Sequence, residues 1–128
     1  MATTLSDAAD AFFEAANRLL AGDATAFDPI WSKADDISHL SPTGESRTGR
    51  QAVIDGFARE SQMGFQGTLV GDERRFVETP DMGFLVCTQR TSGMTRDGQA
   101  IASDIRATTI FRKEDGHWRV VHHHADRF

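Results

Sequence analysis

Apolar residues recur at helical spacing near the start of the chain: Leu5, Ala9, Phe12, Phe13, Ala16, Leu19 and Leu20 fall on one stripe. The stripe predicts an amphipathic helix from about Ser6 to Ala21, with Ser6 or Asp7 as N-cap and Gly22 as its end. Asp23 is placed to cap a second, shorter helix carrying Phe27, Ile30 and Trp31, with Asp28-Pro29 as a restart or kink. A short strand follows at Ile37 to Ser41, then a turn at Pro42-Thr43-Gly44 and a brief return through Ser46-Arg47-Thr48. Val53, Ile54 and Phe57 give a third helix from Arg50 to about Met63. Beyond Gly67 the pattern changes to long strands over 68–79, 82–94, 101–111 and 118–127, with Pro80-Asp81 and Asp97-Gly98 as turns. Helices first and antiparallel strands afterwards predict an α+β domain, with three N-terminal helices packed on one face of a strongly bent sheet.

The last two strands read as a hairpin, and its loop sets which side chains share a face. A three-residue loop of Glu114, Asp115 and Gly116 places Arg112 opposite Trp118, Ile110 opposite Val120, Thr108 opposite His122, Arg106 opposite His124 and Asp104 opposite Asp126. The other face then carries Ile105, Ala107, Thr109 and Phe111 across from Arg119, Val121, His123 and Ala125. A two-residue turn at Asp115-Gly116 is the alternative, and it pairs the strands differently.

Composition narrows the partners. The chain has 128 residues, 39% hydrophobic, with nine Phe and two Trp, which suits one domain over 1–128 with a single core. No apolar run long enough for a membrane span and no signal peptide is read, so a cytoplasmic protein without membrane contact is expected. A net charge of −5 with no Lys/Arg cluster argues against nucleic acid as a partner. The lone Cys87 is expected to be a small buried hydrophobe. Gly-rich phosphate loops, Gly-x-Ser-x-Gly, Cys-x-x-Cys and His-Glu-x-x-His are all missing from the sequence, so no cofactor is expected.

Four segments carry a resemblance. Leu19-Leu20-Ala21-Gly22-Asp23, the run from Ser41 to Arg50, Ile105-Arg106-Ala107-Thr108, and Gly116-His117-Trp118-Arg119-Val120-Val121-His122-His123-His124-Ala125-Asp126 resemble the SnoaL-like branch of the nuclear transport factor 2-like superfamily. The resemblance implies a cone-shaped fold: three helices on a strongly curved, mostly antiparallel sheet enclosing a pocket, with a homodimer formed through the outer sheet face. It leaves the chemistry open, because one fold hosts many functions. In the related ketosteroid isomerases an aspartate base works with a tyrosine and a protonated aspartate. Matched by motif, those positions fall at Ser41, near Ala15 and near Thr109, and the chain has no tyrosine, so that chemistry is not implied here.

Candidate residues follow. His39 shares the pocket-facing parity of its strand with Ser41, so it is the candidate general base, with Asp36 nearby as polar support. Burial would lower its pKa and leave it neutral; an Asp36 carboxylate within reach would act the other way. On the hairpin's apolar face, His123 and Thr109 are pocket-lining candidates, as is one of Gln89 and Arg90, with Arg90 taken as the support residue. The opposite face gathers Arg106, Thr108, Trp118, His122, His124 and Asp126, read as a polar cluster or a subunit interface. His122 and His124 project together but lack an evident third ligand, so no metal is expected. The expected function is therefore a cofactor-independent isomerase, hydrolase or cyclase acting on a small apolar molecule. The alternative is a catalytically silent ligand-binding or interaction domain.

Overall fold

The computed structural model describes residues 4–101 and 104–127. Helix α1, Leu5–Leu20, buries its Leu/Phe/Ala stripe and is capped before the expected Ser6 or Asp7: Thr4 Oγ1 accepts the Asp7 N–H at 3.1 Å. The second expected helix is absent, and its place is taken by a single 3-10 turn at Asp28–Ile30. Asp23 spends its carboxylate on the nearby Thr25 N–H and hydroxyl, and Pro29 has no N–H to donate, so the segment never nucleates a helix. Among the described residues two α-helices, not three, therefore pack on the sheet; the other is α2, Arg50–Glu60.

The strands are β1 Ser38–Leu40, β2 Ser46–Thr48, β3 Phe65–Glu78, β4 Met82–Arg96, β5 Gln99–Ala100, β6 Ile105–Glu114 and β7 His117–Arg127. Positions 102–103 of the expected third long strand lie outside the described residues. The sheet runs β2-β1-β7-β6-β4-β3, with β5 beside β4. Among the described strand pairs β1 with β7 is parallel and the others are antiparallel, so the sheet is mixed; it is curled and unclosed, consistent with the expected α+β class. Irregularities at Gln66/Thr68 and Asp72/Arg75 in β3 and at Ile110/Phe111 in β6 supply local bends.

Helix α1 lies inside the curl. Asn17 fixes it there by pairing both ways with the Leu69 backbone, donating to its carbonyl at 2.9 Å and accepting its N–H at 2.8 Å. The Phe13 ring stands against Gly71, where any Cβ would overlap it. Phe12, Phe27, Trp31, Phe57 and Phe111 complete the core between helices and sheet. Cys87 is buried there, and loss of solvation pushes its thiol up to about 11. Among the described residues no helix is long and apolar enough to cross a membrane.

The hairpin corrects the expected register. Asp115 and Gly116 both take positive φ, 51° and 78°, forming a two-residue turn that pairs Glu114 with His117 and Lys113 with Trp118. Phe111 then faces Val120, so Trp118 and Val120 are buried on the core side, and Trp118 is not available to an interface. Val121 is the extra residue of a bulge, after which Ile110 pairs with His122, Thr109 with His123, Thr108 with His124 and Arg106 with Asp126.

Candidate functional site

The corrected register places four polar residues in one row across the inner face. Arg47 on β2 lies opposite His39 on β1, His39 beside His123 on β7, and His123 opposite Thr109 on β6. All four are buried. Polar groups so placed must find partners. Arg47 Nη1 lies 3.1 Å from His39 Nδ1, and Thr109 Oγ1 lies 2.8 Å from His123 Nδ1.

These two bonds set the tautomers. A guanidinium only donates, so His39 Nδ1 is the acceptor and its proton sits on Nε2. The Thr109 hydroxyl has no other acceptor among the described residues, and the arrangement that satisfies it has the hydroxyl donating to His123 Nδ1, with that ring protonated on Nε2 as well. Neither Nε2 has a partner among the described residues, and both rings line the same cavity, their centroids 5.5 Å apart. Burial drives both pKa values down, to about 2 for His39, helped by His123 and the Arg47 cation, and to about 3 for His123. Phe57 stacks on His39 at 4.8 Å and Phe12 on His123 at 4.5 Å, which excludes water from the ring faces. The site thus offers two neutral imidazole N–H donors. His39 lines the cavity, and the ring nitrogen that could act as a base, Nδ1, is engaged by Arg47 Nη1.

Arg47 is held on several sides. Its Nη2 donates to Glu60 Oε1 at 2.7 Å and to Glu45 Oε2 at 2.8 Å. Burial disfavours its charge, but the Glu45 and Glu60 carboxylates outweigh that and raise its pKa. The guanidinium reaches this position by crossing α2 at Gly56, where any Cβ would overlap its Nε and Cδ. Ser41 donates its hydroxyl to the same Glu60 Oε1 at 2.8 Å. Glu60 is buried and lines the cavity, and its Oε2 has no partner among the described residues.

The cavity has a volume of about 130 Å³. Its walls are mainly apolar, from Phe12, Leu19, Phe27, Phe57, Leu69 and Ile105, and half-buried or exposed Pro42, Thr43, Met94 and Arg127 surround its mouth. Gln89 adds a buried amide with no partner among the described residues, while the next residue points away. Arg90 is corrected on this point. Strand alternation turns it outward, where it meets Glu73 at 3.2 Å and Asp104 at 3.4 Å.

Asp36 is also outside the pocket. It pairs with Arg112 on the surface at 2.7 and 3.0 Å, and that guanidinium holds its carboxyl below the usual range. The expected polar cluster forms on the outer face with shifted partners. Arg106 meets Asp126 at 2.9 Å instead of His124, Ser38 bonds His122 Nδ1 at 2.7 Å, and Thr108 faces His124. Among the described residues no three His, Cys, Asp or Glu side chains come together as a metal site would require.

Arg47 and Glu60 escaped the sequence reading, although each left a trace. Glu60 continues the Val53, Phe57 stripe of α2 at helical spacing, and Arg47 is the inward-facing middle residue of a strand paired with that of His39.

Solved structures share this fold over nearly the whole chain. A proposed dehydratase of the NTF2-like family from Streptomyces avermitilis superposes with a TM-score of 0.81 at 24% identity, covering 97% of this chain and 93% of that one. A proposed calcium/calmodulin-dependent protein kinase type II association domain from Thiobacillus denitrificans gives 0.78 at 24% identity, covering 98% and 95%. A proposed ketosteroid isomerase from Shewanella frigidimarina gives 0.70 at 15% identity, covering 93% and 94%. At such identities the likeness concerns the fold alone. No curated protein sequence matches the chain. Residues 5–125 match the SnoaL-like domain family, and the chain belongs to that family.

Proposed function

We propose that the protein is a cofactor-independent enzyme of the isomerase or dehydratase type, acting on a small, largely apolar molecule that carries an acceptor oxygen. The observation that carries this reading is the pair of Nε2–H groups of His39 and His123, both fixed from behind by Arg47 and Thr109 and both turned into an apolar cavity. Neutral donors aimed where negative charge develops on oxygen stabilise an enol or alkoxide more than the ground-state carbonyl. The volume supports a compact ligand: about 150 Å³ of apolar cavity holds a benzene-sized body. Gln89 is a further orienting group on the wall.

The test uses cyclohexanone as probe and ¹⁵N NMR of the imidazoles. Both rings are expected to remain neutral Nε2–H tautomers from pH 5 to 8, and the ketone is expected to shift both Nε2–H signals. His39→Phe should abolish that response at His39 and weaken binding about tenfold, the loss of one good hydrogen bond. A ketone that neither binds nor moves either ring would overturn the reading. Ser41, at the position the family's isomerases use for their base, spends its hydroxyl on Glu60, which favours a binding domain without turnover as the second reading. Binding of the probe with no chemistry on any ketone, epoxide or lactone would select it.

A further inference from the structure

We propose that Glu60 is the proton acceptor of this cavity, a carboxylate anchored through one oxygen and presented to the ligand through the other. This rests on the reading above, since it needs a ligand whose oxygen is held by the two imidazoles. The carboxylate sits on the core stripe of α2 next to Phe57, an expensive place for a charge with no task. Its anchoring is lopsided. Oε1 takes both available donors, Arg47 Nη2 and Ser41 Oγ, while Oε2 takes none among the described residues. A pair built only for stability would be expected to engage both oxygens of Glu60 with the two arms of the guanidinium. Arg47 instead divides its donors among His39, Glu45 and Glu60. The base and one of the oxygen-binding donors are therefore held to the same guanidinium, side by side on the cavity wall.

The step balances without an oxidant or co-reactant. The ligand carbonyl oxygen accepts from His39 and His123 Nε2–H, and Glu60 Oε2 takes a proton from the carbon beside that carbonyl. The C–H bond breaks, its electron pair forms the C=C bond of an enolate, and the carbonyl π pair moves to the oxygen held by the two N–H groups. Return of the proton to the same carbon gives exchange, and return to a conjugated carbon gives an isomer. A carboxylate base opposite a neutral imidazole is an established arrangement for enolisation.

Cyclohexanone in D₂O tests this, with α-hydrogen exchange read by ¹H NMR. Wild type is expected to accelerate exchange over acetate of equal concentration. Glu60→Gln keeps an oxygen for Arg47 and Ser41 but loses the base, so it should bind the ketone within about twofold of wild type and exchange at least about 100-fold more slowly. Glu60→Asp keeps the charge and withdraws it by one methylene; bound ketone should exchange about tenfold or more slowly, and this variant decides the matter if the glutamine one does not fold. Unchanged exchange in the variant that decides, or wild-type binding without any exchange, overturns the assignment of Glu60 and leaves the oxygen-binding site standing. Failure of the ketone to bind wild type overturns both.

Discussion

At the scale of single residues, the two buried imidazoles couple the site to pH. His39 and His123 ordinarily titrate near 6.5, and in the folded protein they are pushed to about 2 and about 3. The unfolded chain takes up protons that the folded one refuses. Their contribution to stability is complete above about pH 6.5 and is lost as the pH falls from there toward the folded values. Two such groups remove about 2 kcal/mol between pH 6.5 and 5.5, with a steeper loss below. Urea unfolding at pH 6.5, 5.5 and 5.0 checks this. His39→Gln, whose amide oxygen can still accept from Arg47, should roughly halve the slope. A second expectation concerns Arg47. Arg47→Leu leaves Glu60 buried beside Ser41 alone and should cost about 3–5 kcal/mol in the same assay. The sequence made His39 legible because a strand alternates between two faces. It did not show which nitrogen was free, because that depends on Arg47, eight positions away in a different strand and brought opposite only by pairing.

At the scale of elements, α2 and the hairpin carry the same lesson in different ways. In a solvent-facing helix, Gly→Ala gains up to about 1 kcal/mol from backbone entropy. At Gly56 the sign should reverse. The added methyl overlaps an Arg47 side chain held by His39, Glu45 and Glu60, so Gly56→Ala should destabilise by about 1–3 kcal/mol and loosen the His39 tautomer, read by thermal unfolding and ¹⁵N NMR. Helical periodicity alone foretold α2 but gave no reason for its glycine. In the hairpin, the strands were legible from their Val, Ile, Thr and aromatic content, and the turn residues from Asp115-Gly116. The register was not. Reading a three-residue loop displaced the pairing by one, and the bulge at Val121 displaced it by one again. Beyond the bulge the two shifts add to two residues, which changes each partner but restores the face, so His123 and Ala125 face the core as the pattern suggested, whereas Trp118 and Val120, before it, are exchanged to the inside. A bulge adds one residue without changing the apolar composition, which is why periodicity could not reveal it. The missing helix at Phe27 to Trp31 has a similar cause: its apolar spacing was real, but the Asp23 side chain and Pro29 left too few backbone donors to sustain it.

At the scale of the whole molecule, the sheet separates two surfaces with different chemistry. The inner face encloses the cavity, and the outer face carries a row from Val77 through Phe84 and Ile110 to His122, each opposite the next in the strand pairing. Val77, Phe84 and Val86 remain 49%, 38% and 40% exposed, forming an apolar patch at the β3/β4 end of the row. At the β7 end stand His122, His124 and the Arg106–Asp126 pair. A patch of large apolar side chains flanked by charge is the anatomy of a subunit interface, and we predict a homodimer formed through this face, without Trp118. Sedimentation velocity at micromolar concentration should give a dimer mass for wild type and a monomer mass for Phe84→Glu, which puts a carboxylate at the centre of the row. Because Phe84 points away from the cavity while Leu85 and Cys87 beside it point inward, the monomeric variant should keep its affinity for cyclohexanone within about twofold. A wild-type monomer would remove the interface. A dimer in both proteins would place it on another surface, since a charge buried at the centre of the predicted one, without a partner, would cost several kcal/mol.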